Sequence, residues 1–351
     1  MTRYVDVSQM SAMIRDIGPE NMIEAIARYI KEDYLRWDDF DKTARVATHS
    51  KLGVIELMPI ADNRLYAFKY VNGHPANTRQ GKLTVMAFGV LADVATGYPL
   101  LLSEMTIATA LRTAAMSALA ARTLARPNSQ SMAIIGNGAQ SEFQVLGFYK
   151  LLGIREFLAY DIDSAATQRL IHNLEHYADI SITAPSSVAQ AVQGADIVTT
   201  ITADKTFATV LTPDLIVPGV HINAVGGDCP GKTELHSQIL LEGKVFVEYA
   251  KQSRIEGEIQ RLPDDFPVTE FWEVLSHSKA GRTSPDEVTI FDSVGFALED
   301  YSTLRYLYDL VAATDSDTLN LIPTLPDPKN LFGAAMDLAA PAAVLATGAF
   351  T

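Results

Sequence analysis

The stretch SMAIIGNGAQSEFQVL, residues 131–146, followed by FLAYDID at 157–163, decides the fold. An apolar run from Met132 to Ile135 meets Gly136-Asn137-Gly138-Ala139-Gln140-Ser141 and then a helical pattern. A second apolar run closes on Asp161, 25 residues after Gly136. Strand, glycine turn, helix, strand and acid, in that order, open a dinucleotide-binding unit. The glycines permit a tight turn and let the backbone approach a pyrophosphate at a helix N-terminus, where unpaired N–H groups and the helix dipole favour negative charge. Ser141 stands where a third glycine is usual; that position serves close helix-on-strand packing, which a small side chain nearly meets. Asp161 is placed to accept the adenine-ribose hydroxyls. Ile162 and Asp163 behind it bring no Arg for a 2′-phosphate, so NAD is expected rather than NADP.

Working outward, strands and helices alternate from Met132 to about Val294, with FLAYD, ISITA, DIVTTI, HINAVG, VFVEY and VTIFDSVG reading as successive strands. Such alternation predicts an α/β fold with a doubly wound parallel sheet covered by helices on both faces. Upstream the pattern differs. Apolar residues at helical spacing from Ser8 to Trp37, broken at Gly18-Pro19, predict two short helices. From Arg45 to Glu104, short alternating strands punctuated by Asp62-Asn63, Asn72-Gly73 and Thr96-Gly97 predict an antiparallel meander. An Ala-rich helix from Thr106 to Leu124 then delivers the chain, through Arg126-Pro127-Asn128, to the first nucleotide-binding strand. A helix from Ala297 to about Ala312 leaves that unit, and Asn320 to Thr351 read as loop-like with an Ala-rich tail, either disordered or packed on a partner subunit. The expected division is 128–313 for the dinucleotide-binding domain and 1–127 with 314–351 for a second domain.

Bulk composition fits an enzyme. A chain of 351 residues with 48% hydrophobic content can bury two cores. The net charge of −14 argues against nucleic acid or an anionic membrane as partner. MTRYVDVSQM lacks an apolar signal-type core and no apolar run is long enough to span a bilayer. One cysteine, Cys229, excludes an internal disulfide and a Cys-based zinc site, so a cytoplasmic location is the simplest expectation.

The segment HINAVGGDCPGKTEL, 221–235, carries a second signal. Ligands of open α/β sheets sit beyond the carboxyl ends of the strands, which aims Asp228 at the cofactor. Asp228 could instead cap the turn before Pro230-Gly231. Lys232 is either a cofactor contact or a solvated loop residue, and Cys229 reads as a small buried residue. In the meander, Glu56 shares a strand face with Met58, so its carboxylate is either buried and paired or lines a pocket. Lys69, Arg45 and Arg112 are basic residues in otherwise apolar settings, each open to a surface, ion-pair or carboxylate-binding role. His49 and His74 repeat no metal-ligand spacing, and no metal is expected. Gly-x-Ser-x-Gly and paired Cys-x-x-Cys motifs are absent.

Three separated motifs in order, Arg45 with Glu56-Leu57-Met58-Pro59 and Lys69-Tyr70-Val71-Asn72-Gly73-His74-Pro75-Ala76-Asn77, then Gly136-Asn137-Gly138-Ala139-Gln140, then Gly226-Gly227-Asp228-Cys229-Pro230-Gly231-Lys232, resemble the ornithine cyclodeaminase and μ-crystallin family over about residues 1–330. The resemblance implies a Rossmann-type NAD domain beside an antiparallel-strand domain for substrate binding and homodimer formation. It implies a small amino-acid substrate, L-ornithine, converted to L-proline and ammonia with NAD regenerated in each cycle. Matching positions imply Arg45, Lys69 and Arg112 as a clamp on the substrate carboxylate, with Met58 and Val294 at the pocket wall. They imply Thr84, Arg112, Gly136, Gly138, Ala139, Gln140, Asp161, Thr202, Val225, Gly226, Gly227, Asp228, Lys232 and Ser293 around NAD. Asp228 is the implied acid-base group, with Glu56 as a second carboxylate. An amino-acid dehydrogenase, a ketimine reductase, a lysine cyclodeaminase or a non-catalytic small-molecule binder would share the fold.

Overall fold

The computed structural model describes residues 1–203, 209–312, 317–323, 325 and 328–335. These form two eight-stranded sheets. The first contains β1 (Thr2–Val5), β2 (Asp41–Lys42), β3 (Val46–His49), β4 (Val54–Ala61), β5 (Leu65–Gly73), β6 (Val85–Asp93) and β7 (Pro99–Glu104), with the short strand Thr318–Leu319 at its edge. Strands β4 to β7 pair antiparallel, as their alternation predicts. The sheet is not purely a meander, because β1 joins β7 in parallel. Two helices, α1 (Val7–Ile17) and α2 (Pro19–Tyr34), follow β1. Asp6 and Gln9 close a capping box on α1, and Gly18 at φ +91° makes the break before Pro19 opens α2.

Alternation along β4 separates two functions of one strand. Val54, Glu56, Met58 and Ile60 are buried, whereas Ile55 and Leu57 point out and are 41% and 44% exposed.

Helix α3 (Thr106–Leu124) is buried on nearly every side, which its alanines make possible: a Cβ on the facing Gly147 would stand 3.1 Å from the Ala114 carbonyl oxygen. The second sheet contains β8 (Ser131–Ile135), β9 (Glu156–Tyr160), β10 (Ser181–Thr183), β11 (Ile197–Thr200), β12 (His221–Ala224), β13 (Lys244–Val247), β14 (Thr269–Glu270) and β15 (Thr289–Asp292). All its pairs are parallel, in the order β10-β9-β8-β11-β12-β15-β13-β14. The connecting helices are α4 (Ser141–Leu152), α5 (Ser164–Leu174), α6 (Val188–Val192), α7 (Ser237–Glu242), α8 (Ala250–Glu256) and α9 (Phe271–Leu275). Every residue of β8, β11 and β12 is buried, as a sheet covered on both faces requires. The α/β class and the doubly wound parallel sheet are thus as the sequence predicts.

Helix α10 (Ala297–Ala312) leaves the parallel sheet and lies across the inner face of β4 to β7 and against α2 and α3. Gly89 permits that crossing, since a Cβ there would stand 3.2 Å from Leu304 Cδ1. Leu331–Ala335, in the stretch expected to be loop-like, is helical, in line with the high helix propensity of Leu and Ala. The Ala-rich tail at 336–351 lies outside the described residues. Among the described residues no helix is long and apolar enough to cross a membrane.

Candidate active site

The parallel sheet reverses its strand order between β8 and β11, and the glycine turn sits at that switch point. Gly136 has φ +97°, and a Cβ on it would stand 2.9 Å from the backbone of Ile201, just past β11. Only glycine fits both demands. A Cβ on Gly138 would meet nothing within 4 Å, so space lies open over the turn at the N-terminus of the 12-residue α4. Ser141, fully buried, donates its hydroxyl to the Gly138 carbonyl at 2.8 Å and so adds a clasp where glycine would add none. Asp161 accepts the Asn137 N–H at 2.6 Å and the Asp163 N–H at 2.8 Å, which fixes its carboxylate beside the turn with lone pairs to spare. Gln140 Oε1 is buried without a hydrogen-bond partner. The guanidinium of Arg169, in α5, engages the Asn137 carbonyl and Glu142. These features fit a dinucleotide: a glycine cradle, an open face, an unsatisfied buried acceptor and an oriented acid.

At the same C-terminal edge of the sheet, charges from distant segments converge. Arg45, just before β3, donates to the carbonyls of Val294 and Gly295, both at 2.7 Å, and so reaches the end of β15. It also pairs with Glu56 at 3.1 Å and with Glu256, the last residue of α8, at 2.9 Å. Lys69 and Arg112 both meet Asp300 Oδ1, at 2.8 and 3.1 Å, and Arg112 adds Glu299 at 3.0 Å. Gly295 lets the guanidinium of Arg112 lie against the backbone: a Cβ there would stand 2.6 Å from its NH1. Met58 is the cross-strand neighbour of Lys69 and is buried with it. Val294 is buried at the same edge.

Burial governs the protonation of this cluster. It lowers the Lys69 ammonium to about 8, with the nearby Arg112 charge pushing the same way and Asp300 opposing. It raises Glu256 to about 7, against the pull of Arg45 and with the help of Glu56 and Asp228. Glu299 rises to about 8, through burial and then the charge of Glu248.

Asp228 follows β12 by way of Val225, Gly226 and Gly227, and the N–H groups of Val225 and Gly226 both donate to the Thr200 carbonyl, at 2.9 and 3.0 Å. Its side chain is 54% exposed and accepts from Lys232 Nζ at 3.3 Å, rather than serving as a cap to the turn as its alternative reading required. Lys232 is buried and also donates to the Thr202 carbonyl at 2.8 Å, so it is no solvated loop lysine. Burial opposes its charge, but Asp228 and Glu234 carry its pKa upward. Cys229 is buried, as expected. Ser293 donates to Glu248 at 2.8 Å. Thr84 is not drawn into the ionic cluster; its carbonyl accepts the His74 N–H at 2.8 Å ahead of β6. His74 Nδ1 meets Asn72, and among the described residues no group of His, Cys, Asp and Glu could hold a metal.

The structure therefore gathers Arg45, Glu56, Met58, Lys69, Arg112, Asp228 and Val294, drawn from separate segments, at the sheet edge that also bears Gly136 and Ser293. Sequence reasoning missed Glu256, Glu299 and Asp300, which pair with the cations. A signal for two of them existed: Glu299 and Asp300 are acids in the first turn of a helix, a position the helix dipole favours.

The model of the ornithine cyclodeaminase/mu-crystallin family matches residues 7–315. The chain is 56% identical over 331 residues to an ornithine cyclodeaminase of Brucella suis biovar 1, covering 94% of this chain and 92% of that one. Among solved structures it is similar to a lysine cyclodeaminase studied for recognition of L-lysine, L-ornithine and L-2,4-diaminobutyric acid, with a TM-score of 0.88, 26% identity and coverage of 94% and 98%. It is also similar to an archaeal alanine dehydrogenase dimer with bound NAD, with a TM-score of 0.83, 29% identity and coverage of 92% and 99%.

Proposed function

The chain belongs to the ornithine cyclodeaminase/mu-crystallin family, and we propose that it is an NAD-dependent enzyme, a lyase that converts L-ornithine to L-proline and ammonia. The observation that carries this reading is the convergence of three buried cations with one half-exposed carboxylate, Asp228, at the strand edge beside the glycine turn. Gly136, Gly138, Ala139, Gln140 and Asp161 would hold the pyrophosphate and adenosine half of NAD, and Thr202, Val225 to Asp228, Lys232 and Ser293 the other half, with Thr84 and Arg112 at its margin. When bound, NAD supplies a hydride acceptor for the substrate Cα and returns the hydride at the end of the cycle.

Arg45, Lys69 and Arg112 bind and orient the α-carboxylate. At neutral pH Glu299, with its pKa near 8, is mostly protonated, and Glu256 is divided between its two forms. The cations therefore carry excess positive charge for an incoming anion. A carboxylate that can hold a proton is needed beside Cα, because an α-ammonium cannot release hydride; Asp228 takes that proton, the substrate δ-amine then bonds to Cα, and Asp228 returns the proton to the α-amino group so that it leaves as ammonia. Glu56, whose Oε1 is buried and unpartnered beside Arg45, is the second carboxylate available to the substrate nitrogens. Met58 and Val294 exclude water from the clamp.

The protein would act as a homodimer in the cytoplasm, in keeping with its single cysteine. The outward face of the first sheet supports the dimer: Leu57, Tyr70 and Phe88 form one cross-strand row, all at least partly exposed, with Tyr70 and Phe88 stacked at 5.1 Å. The test is incubation of the purified protein and NAD with ornithine, lysine or alanine, assaying proline, pipecolate, ammonia and NADH. Proline and ammonia in equal amounts without accumulating NADH support the proposal. Pipecolate in place of proline, or NADH formed with alanine, assigns another substrate or a dehydrogenase.

A further inference from the structure

Behind the loop that carries Asp228, three buried carboxylates stand in order. Asp292, at the end of β15, accepts the N–H groups of Glu258 and Ile259 at 2.9 and 3.2 Å. Glu258 accepts those of Glu234 and Leu235 at 2.7 and 3.0 Å. Glu234 accepts those of Thr202 and Gly226 at 2.8 and 3.1 Å, together with the Thr202 hydroxyl. Each rung is covered by a glycine. A Cβ on Gly257 would stand 2.4 Å from Asp292 Oδ2, one on Gly227 2.4 Å from Glu258 Oε1, and one on Gly226 2.2 Å from the Glu234 carboxyl. The last rung touches the site, because the Thr202 carbonyl receives Lys232 Nζ, which in turn meets Asp228.

Burying three acids is costly, and burial pushes Asp292 up to about 7 and Glu258 well above the usual carboxylate range, the latter also through the charge of Asp292. Apolar side chains would fill the space but could not fix six backbone N–H directions at once. We propose that Asp292, Glu258 and Glu234 are positioning residues that hold Thr202, just past β11, and the loop after β12 so that Asp228 keeps its place beside Lys232 and the substrate nitrogen. This rests on the reading of Asp228 as the acid-base group.

The test is Glu258→Gln in the full-length enzyme. Glutamine keeps the shape but presents an NH2 to one of the two N–H groups it should receive. Small misplacements of a catalytic group cost up to about 100-fold. The expected result is a folded protein that binds NAD, with kcat lowered by about 10- to 100-fold, ornithine KM changed by less than about threefold, and the acidic limb of the kcat pH profile displaced. Asp292→Asn, the rung farthest along the ladder from Asp228, should reproduce that signature and carries the test if Glu258→Gln does not fold. Folded variants of lowered thermal stability with wild-type kcat and pH profile would overturn the inference. Asp228→Asn, assayed alongside, separates the two ideas: if it is inactive while Glu258→Gln is not, the ladder fails and the catalytic reading stands.

Discussion

The glycine turn and the ionic pocket share one edge of one parallel sheet, yet they are built in opposite ways. The turn is contiguous, residues 136–141, and works through backbone: Gly136 has φ +97° and nearly touches the next strand's exit, and Gly138 leaves open space. The pocket is assembled from residues as far apart as Arg45 and Asp300 and works through buried charge, three cations held by Glu56, Glu256, Glu299 and Asp300. Binding a pyrophosphate needs N–H groups aimed at one point, which local geometry supplies. Gripping an amino acid needs charge kept away from water, which only tertiary packing supplies.

If this contrast is sound, damage to the pocket should alter turnover and substrate affinity, and damage to the turn should alter cofactor affinity alone. The largest effect is expected at Asp228→Asn. Asparagine keeps the shape of the loop but cannot take a proton, so proline formation should fall about 10²- to 10⁴-fold with NAD binding intact. A variant retaining more than roughly a tenth of wild-type turnover would remove Asp228 from the chemistry.

Arg112→Lys comes next. A planar fork that meets both Glu299 and Asp300 becomes a point charge, and ornithine KM should rise about 10- to 100-fold, the range of a lost charged hydrogen bond. Ornithinol, which lacks the carboxylate, should bind poorly to wild type; equal competition by ornithinol would break the clamp. On the other side of the contrast, Asp161→Ala should weaken NAD about 10-fold and leave ornithine KM unchanged at saturating NAD. A parallel loss of ornithine affinity in titrations would erase the distinction between the regions.

The smallest effect concerns pH. The folded pKa of Glu299 is raised to about 8, so its protonated form stabilises the fold fully below its ordinary pKa of 4.5. That contribution is lost as pH rises towards 8, at up to about 1.4 kcal/mol per pH unit. Glu299→Gln should flatten the decline of stability over that window in denaturant titrations, and an unchanged slope would mean that Glu299 is ionised throughout.

The same contrast explains what the sequence disclosed. The turn, Asp161 and the strand set from FLAYD to VTIFDSVG were legible because each depends on neighbours in the chain. Glu56 and Met58 were legible as a pair because a strand repeats every second residue. The partners of the three buried cations were not: Glu256, Glu299 and Asp300 meet them only after α8 and α10 have packed, and nothing in local periodicity marks which acid will face which base. The parallel pairing of β1 with β7 escaped for the same reason, since the pattern of a strand does not record the direction of its neighbour.

One site is expected to remove hydride from Cα and to restore it to the same carbon after ammonia has left. The direct measurement is the isotopic content of proline made from L-ornithine deuterated at Cα, with NAD present in trace amount. The expected product is proline that retains the deuterium at Cα over many turnovers per NAD, with no NADH accumulating. Proline that has lost the label, or labelled NADH formed in amounts matching the product, would contradict it.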